Sequence, residues 1–413
     1  MQVTSSDLFK VFGRIGLLSF GGPAAQISLM QTELVDKRGW LSDKQFLQAL
    51  SFCMLLPGPE AMQLATYAGW RLRGLSGGLL AGLLFVGPGA LLILALGFGY
   101  AYYGELPLVQ AAFLGIKATV VIIVFQALLR LGKRTLTGHL PRALAGIAFI
   151  AIFAFNIPFP LIIAAAAVLG CIWMSTPLDE AADVAPVSVS PASTIKTTLI
   201  WGAIWAAPVV GLWLSGSTLL FDLAIFFSTL AVVTFGGAYA VLAYMTQEIV
   251  YGFEWLSTAQ MIDALGLAET TPGPLILVTE FAAFLTGYLQ GGPWLGIAAA
   301  LVTLWVTFTP CFLWIFVAAP YVDAISTRPR LKGALNSISA CVVGVILSLA
   351  VWFTLSVLFD APKDIWGVAL ADISIINAAL IVVAGILLLG FRLPLLASLA
   401  FMAIIAGCVP AVL

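Results

Sequence analysis

One stretch of this chain occurs twice. Residues 19–59 run from SFGGP to a Pro-Gly-Pro, and residues 234–274 run from TFGGA to a second Pro-Gly-Pro, at a constant offset of 215 positions without a gap. Sixteen of the 41 aligned positions are identical, among them Phe20/Phe235, Gly21/Gly236, Gly22/Gly237, Glu33/Glu248, the Trp-Leu-Ser triplets at Trp40 and Trp255, and Gln45/Gln260. A repeat this regular means two copies of one structural unit, so residues have to be read in pairs. Each copy sets Gly-Gly and Pro-Gly-Pro inside apolar sequence, where they release backbone groups from helical pairing and leave them open to a ligand.

The solvent of this unit follows from composition. Hydrophobic residues make up 62% of the 413 and charged residues 9%, with a mean hydropathy of +1.10. Long apolar runs between short polar turns indicate membrane-spanning helices, since barrel strands would alternate over about ten residues. The expected fold is an all-α integral membrane protein. A net charge of −1 gives no basic surface for nucleic acid. The opening MQVTSSDLFKVF lacks the pattern of a cleaved signal peptide. Five scattered cysteines form no CxxC pair and imply neither disulfide nor metal.

Charge placement orients the copies. Residues 1–18 carry Lys10 and Arg14 among apolar residues at helical spacing, which predicts an amphipathic helix on the cytoplasmic surface. The apolar stretch 46–70 is flanked by Lys37, Arg38 and Lys44 on one side and Arg71 and Arg73 on the other. Basic flanks at both ends make the Pro-Gly-Pro segment a re-entrant hairpin instead of a full crossing. Crossings are expected at 77–103, with Pro88 as a kink and Gly74, Gly78 and Gly82 as packing positions, and at 108–129; two shorter helices at 143–174 break at 156–160. In the second copy the equivalent loops exchange charge: 246–262 holds no Lys or Arg, whereas the turn matching Pro107, at offset 222, holds Arg328, Arg330 and Lys332. That exchange is expected of two inverted-topology repeats, which five crossings between the copies would produce. Further crossings are expected at 294–317, 333–358, 367–390 and 393–412. The boundaries are a first repeat at 1–174, a polar linker at 175–196, and a connecting helix plus second repeat at 197–413. Inverted repeats with broken helices at matching positions are the layout of secondary transporters, with substrate near the midplane where the repeats meet.

Several residues are candidates for chemistry. Gly21, Gly22, Gly236 and Gly237 permit positive φ and start helices whose free N–H groups attract an anion; the competing reading is close helix packing. Pro57, Gly58, Pro59, Pro272, Gly273 and Pro274 either open the hairpins or merely kink helices. Lys117, mid-crossing, costs about 2.5 to 3.5 kcal/mol unless it faces a cavity or a partner, so it either binds an anion or pairs with a carboxylate. Its offset-222 counterpart is Ser339. Arg14, Arg71 and Arg73 read as snorkelling topology determinants or as anion attractors. Glu60, Glu269 and Glu280 lie beside the Pro-Gly-Pro triplets and are candidates for proton coupling, with helix capping as the alternative for Glu60. Glu33 and Glu248 fit interfacial turns, and His139 a loop. No nucleophile and base, metal cluster or phosphate loop is visible, so neither an enzyme nor a cofactor is expected.

At these residues the chain resembles the chromate ion transporter family in its long, two-domain form. The resemblance rests on SFGGP at 19–23, the glutamate and Trp-Leu-Ser that follow, LLPGP at 55–59, and their second set at 234–274. It implies efflux of chromate conferring chromate resistance, with sulfate as a related anion, from the cell inner or plasma membrane. The second copy departs from the first at Ala238 for Pro23 and at Thr270-Thr271 for Leu55-Leu56, which argues against equal roles. A tetrahedral dianion suits the two motif sets, including Phe20 and Phe235, because helix N-termini and the hydroxyls of Ser19, Thr234, Thr270 and Thr271 offer donors without a surplus of buried cations. The alternatives are a sulfate or other oxyanion carrier and, from another class, a membrane-embedded enzyme or lipid-handling protein. The expected partners are the oxyanion, the lipid bilayer and, as an allowed assembly, a second copy of the chain.

Overall fold

The structure, a computed structural model, describes residues 3–173, 190–235, 238–322, 329–359 and 373–408. Gly236, Gly237, Arg328, residues 175–189 of the expected linker, and parts 367–372 and 409–412 of the last two crossings lie outside the described residues. Among the described residues there are fifteen α-helices and no strand. Seven belong to the first repeat: α1 (Ser5–Leu18), α2 (Gly22–Gln31), α3 (Asp43–Cys53), α4 (Glu60–Tyr103), α5 (Pro107–Thr135), α6 (His139–Phe153) and α7 (Phe159–Trp173). The connecting helix is α8 (Pro191–Ser215), which takes in the last residues of the polar stretch. Seven more repeat the order: α9 (Thr218–Val233), α10 (Ala238–Gln247), α11 (Thr258–Thr270), α12 (Val278–Ala318), α13 (Pro329–Leu358), α14 (Ile375–Gly385) and α15 (Leu395–Cys408). Five stretches, at α4, α5, α8, 275–321 and 330–358, are long and apolar enough to cross a membrane.

The duplicated Trp-Leu-Ser…Gln motif is a helix start. Ser42 and Ser257 cap α3 and α11: each hydroxyl accepts from the N–H of Gln45 or Gln260, and each glutamine returns a bond to the serine N–H at 2.9 to 3.0 Å. This reciprocal box satisfies two of the amides every helix start leaves open. Replacing Ser257 by alanine should lower stability by about 1 kcal/mol; chemical or thermal unfolding of the purified chain reads it, and a change indistinguishable from zero removes the box from the account.

Each re-entrant helix descends to a Pro-Gly-Pro tip and the chain climbs back. The climb is the first part of α4 or α12, and it ends in a tight reversal at Arg73-Gly74 or Gly291-Gly292, where φ reaches +62° and +79° at the second residue. Only glycine takes those angles cheaply. The two arms touch closely: a Cβ at Gly69 would lie 2.2 Å from the Gly77 carbonyl oxygen, and one at Gly287 would lie 2.7 Å from that of Leu295. The descent of α3, the Pro-Gly-Pro tip and the climb form the hairpin expected at 46–70, and Gly74, expected as a packing position, instead reverses the chain where the climb ends. The backbone stays helical through Pro88. Its missing N–H leaves the Leu84 carbonyl without a helical donor, and α1 packs there through Gly16. In α12, Pro310 similarly frees the Val306 carbonyl, which accepts from the Trp205 indole at 3.1 Å.

The halves interlock. Helices α6 and α7, which break at 154–158 as expected, pack on α13 of the other half, while α14 and α15 pack on α5. The core thus runs through both repeats. Helix α1 is amphipathic as expected, and its apolar face is turned to the protein: Leu8, Val11, Phe12 and Ile15 are buried and the helix rests on α4, as α9 rests on α12.

Candidate functional site

The two tips meet the opposite repeat by reciprocal bonds. The Gly58 N–H donates to the Thr234 carbonyl at 2.8 Å, and the Gly273 N–H donates to the Ser19 carbonyl at 2.9 Å. Both pairs are related by the same offset of 215, as a two-fold relation between the halves requires. Each Pro-Gly-Pro therefore seats beside the start of the other copy's Phe-Gly-Gly, and the four interrupted segments converge at the centre of the chain. Gly58 and Gly273 have φ of +116° and +91°, which explains the glycine between two prolines.

Side chains hold the tips in two different ways. In the first repeat the buried Gln63 amide donates to the Pro57 carbonyl at 2.6 Å. In the second, the buried Gln26 amide reaches across from α2 to the Gly273 carbonyl at 2.6 Å and also to Ser19 at 3.3 Å. The Pro272 carbonyl rests on Gly89, where a Cβ would lie 2.2 Å away, and Pro274 leads into a three-residue turn, Leu275–Leu277, with no counterpart in the first copy. Neither glutamine was a candidate from sequence, although a polar amide within an apolar run was the available signal.

Helix α2 begins at Gly22, preceded by Gly21 in the left-handed region with no side-chain cap. Nothing lies within 4 Å of a Cβ built on Gly22, so these glycines are here for their backbone angles and not for close packing. Phe20 and Phe235 are half-buried beside them. The hydroxyls of Ser19, Thr234, Thr270 and Thr271 all donate to carbonyls of their own helices, those of Ile15, Leu230, Leu267 and Ala268. Their protons are thus engaged with the backbone in this conformation.

The charged candidates separate. The Lys117 ammonium sits 3.0 Å from Asp263 of α11, whose other oxygen accepts from the Tyr100 hydroxyl at 2.8 Å. This is the paired reading of Lys117, and it ties the halves together. Glu269 is buried and accepts from Tyr239 at 2.8 Å. Glu280 is buried on α12. Glu60 opens α4 and lines a cavity of about 460 Å³ together with Gly58, Arg134, Thr137, Asn336 and Ser339. The Gln63 N–H bonds the Pro59 carbonyl, so the amides that precede it in α4 have no carbonyl acceptor within the helix. The cavity therefore combines a helix N-terminus, a guanidinium and neutral donors, one of them on the Ser339 that matches Lys117. Arg134 belongs to the basic cluster Arg130, Lys133, Arg134 and Arg142 that follows the 108–129 crossing, a pattern that marks the cytoplasmic side and does not single it out as a site residue. Glu33 and Glu248 also part company: Glu33 is held by Lys37 at 2.7 Å and by Arg38, which keep its carboxyl below the usual range, while the matching positions beside Glu248 are Gly252 and Phe253.

The profile of the family described as Chromate transporter matches residues 6–171 and 221–409. The chain belongs to that family. It is 35% identical over 356 residues to a chromate transport protein of Pseudomonas aeruginosa, covering 82% of this chain and 79% of that one. It is 29% identical over 367 residues to a probable chromate transport protein of Synechococcus elongatus, covering 87% of each, and 28% identical over 367 residues to a chromate transport protein of Cupriavidus metallidurans, covering 87% and 85%. No solved structure matches the chain. The two matched regions coincide with the two seven-helix repeats. The interrupted helices and interlocked halves are therefore those of a multi-pass membrane protein of the chromate transporter family, built from two inverted-topology repeats.

Proposed function

We propose that this chain is a secondary transporter that moves chromate out across the cell inner or plasma membrane and so confers chromate resistance, with other tetrahedral oxyanions such as sulfate as weaker cargo. The observation that carries the reading is the cavity at the first tip, where the α4 N-terminus and Arg134 face the same space. A dianion there would meet amides, a guanidinium and hydroxyl donors, which is the donor set that suits tetrahedral oxygens. The names of the relatives support the cargo.

The route proposed runs along the converged tips. Gly21 and Gly22 with Phe20 and Phe235 are assigned to its wall on one side, and Pro57, Gly58, Pro59, Pro272, Gly273 and Pro274 to the other; Gly236 and Gly237 are added to the route by the repeat alone. Ser19, Thr234, Thr270 and Thr271 enter it only if the tips move and release their hydroxyls. The working units are repeats 1–174 and 197–413 joined by the polar stretch 175–196. Outward movement of two negative charges is favoured by a negative-inside potential by about 4.6 kcal/mol per 100 mV, twice the value for one charge. Glu60 beside the anion would repel it until protonated, which makes it a coupling carboxylate; Glu269, held by Tyr239, is the second.

The test is flux. Purified protein in liposomes with an imposed potential should move radiolabelled chromate faster than empty vesicles, with unlabelled sulfate competing more weakly than unlabelled chromate. Equal rates with and without protein end the carrier reading, and stronger competition by sulfate makes sulfate the principal cargo.

A further inference from the structure

A second cavity, of about 320 Å³, is lined by α9 and by the end of α10 with the turn that follows it. Asp222, Tyr244 and Glu248 stand on its wall. None of these three side chains has a hydrogen-bond or ion-pair partner among the described residues. Tyr244 is nevertheless only 8% exposed. A buried phenol ordinarily finds a partner for its hydroxyl, so this one is left for something that enters the space.

The repeat says what is missing there. The offset of 215 carries back into the preceding helices, since α1 ends at Leu18 and α9 at Val233, and it matches Asp222 and Glu248 with Asp7 and Glu33. The acids are duplicated. Their cations are not: Lys10, Arg14, Lys37 and Arg38 become Ile225, Thr229, Gly252 and Phe253. In the first copy Lys37 and Arg38 hold Glu33, while Asp7 closes a capping box with Thr4. In the second, Leu219 stands at the place of Thr4 and α9 begins without a side-chain cap. The Glu248 carboxylate lies over Gly252, where a Cβ would be 2.8 Å from its Oε2. Burial raises that carboxyl above the usual range, the opposite of Glu33. Ile225, Thr229 and Phe253 all line the cavity, so the second copy keeps the anions and opens a space beside the positions that lost the cations.

We propose that this cavity binds an alkylammonium group from outside the chain, in place of the cations that the second copy lacks. An ammonium carries N–H donors and no acceptor, and the wall offers it two carboxylates and a hydroxyl oxygen. Much of the remaining wall is aromatic. Phe226 and Phe253 line it, with Trp255 stacked on Phe253 at 4.1 Å between ring centroids and Phe226 set edge-on to both. Ring faces attract alkylated cations, whereas a hard metal ion asks for about six to eight oxygen ligands. Among the described residues no group of three His, Cys, Asp or Glu supplies them. Ile225 and Phe253, 44% and 41% exposed, edge the space with apolar surface, which suits an ammonium carried on an apolar body. An ethanolamine lipid headgroup and a dissolved alkylamine present that same chemistry.

The site is read without chromate. The delipidated full-length chain in detergent should take up phosphatidylethanolamine saturably, as counted by native mass spectrometry, and its unfolding temperature should rise with that lipid. Phosphatidylglycerol with the same acyl chains carries no ammonium and should do neither. Butylamine, a dissolved ammonium, should compete with the lipid, and whichever of the two half-saturates the chain at the lower concentration is the source the site takes. Glu248→Gln combined with Asp222→Asn should weaken binding by about tenfold or more, because charge-assisted bonds become neutral ones. Phe253→Arg, which sets a guanidinium at the position matching Arg38, should block binding while the chain still folds. The proposal is overturned if neither probe binds the unaltered chain saturably, if phosphatidylglycerol binds as well as phosphatidylethanolamine, or if the folded acid variant binds undiminished. Should the acid variant fail to fold, undiminished binding to Phe253→Arg overturns it equally. Chromate flux is not the readout, so failure here leaves the transport reading standing.

Discussion

Replacing Asp263 by leucine is expected to destabilise the folded chain by about 3 kcal/mol, because it strands the Lys117 ammonium inside the bundle. The figure is taken at the low end of the range for broken buried pairs since the lysine side chain keeps 20% of its surface exposed, against 8% for the aspartate. Lys117→Met alone leaves a buried carboxylate with only the Tyr100 hydroxyl and should cost a similar amount. The double variant Lys117→Met with Asp263→Leu should recover most of the loss, because an apolar pair of similar volume replaces an ion pair nearly without penalty. Denaturant unfolding of the four proteins closes this cycle. If the single variants each cost less than about 1 kcal/mol, the value of an exposed pair, the contact is not what joins α5 to α11. The same four proteins also separate the two readings of Lys117. A folded double variant that moves chromate normally leaves the lysine a structural role, and one that has lost flux returns it to the anion path.

How much of this was legible beforehand depends on whether a feature was duplicated. The paired Phe-Gly-Gly and Pro-Gly-Pro motifs pointed to the two repeats and the re-entrant hairpin, and the unduplicated stretch 156–160, with Pro158 and Pro160, to the break between α6 and α7, because glycine and proline act on the backbone locally. The capping boxes were legible too: Ser42 and Gln45, like Ser257 and Gln260, stand at the spacing of a box, yet the motif read only as a repeat marker. Asp263 was passed over for the opposite reason. Its counterpart is Gln48, so comparison between copies gave no signal, and nothing in the local sequence ties it to Lys117, 146 positions away. The exchange of α6 and α7 onto α13 was hidden for a similar reason, since small residues such as Gly170 and Gly344 permit close approach without naming the partner. The hydroxyls of Ser19, Thr234, Thr270 and Thr271 looked available because composition shows donors but not acceptors; at helix ends in lipid the nearest free carbonyl takes them first.

Arg134 carries the largest functional expectation. It stands near the C-terminal end of α5, where a cation already suits the helix dipole, and it faces the cavity with Glu60 and the α4 N-terminus. Arg134→Gln keeps length and hydrogen-bonding capacity but removes the charge and the paired N–H donors that fit two oxygens of a tetrahedral dianion. Loss of a charge-assisted contact of about 3 kcal/mol corresponds to roughly a hundredfold in binding, so the concentration of chromate giving half-maximal flux should rise by about that factor. Arg134→Lys should fall between the two, since an ammonium restores charge but not geometry. The series is measured as initial rates in liposomes across chromate concentrations, with protein insertion checked by sedimentation. The lysine variant separates a binding residue from a topology determinant: if position 134 only orients the helix in the membrane, lysine should restore full flux, whereas a guanidinium that grips the anion leaves it impaired. Full activity in Arg134→Gln would move the anion away from this cavity and toward the open end of α2 at Gly21 and Gly22, where free amides are the remaining donors.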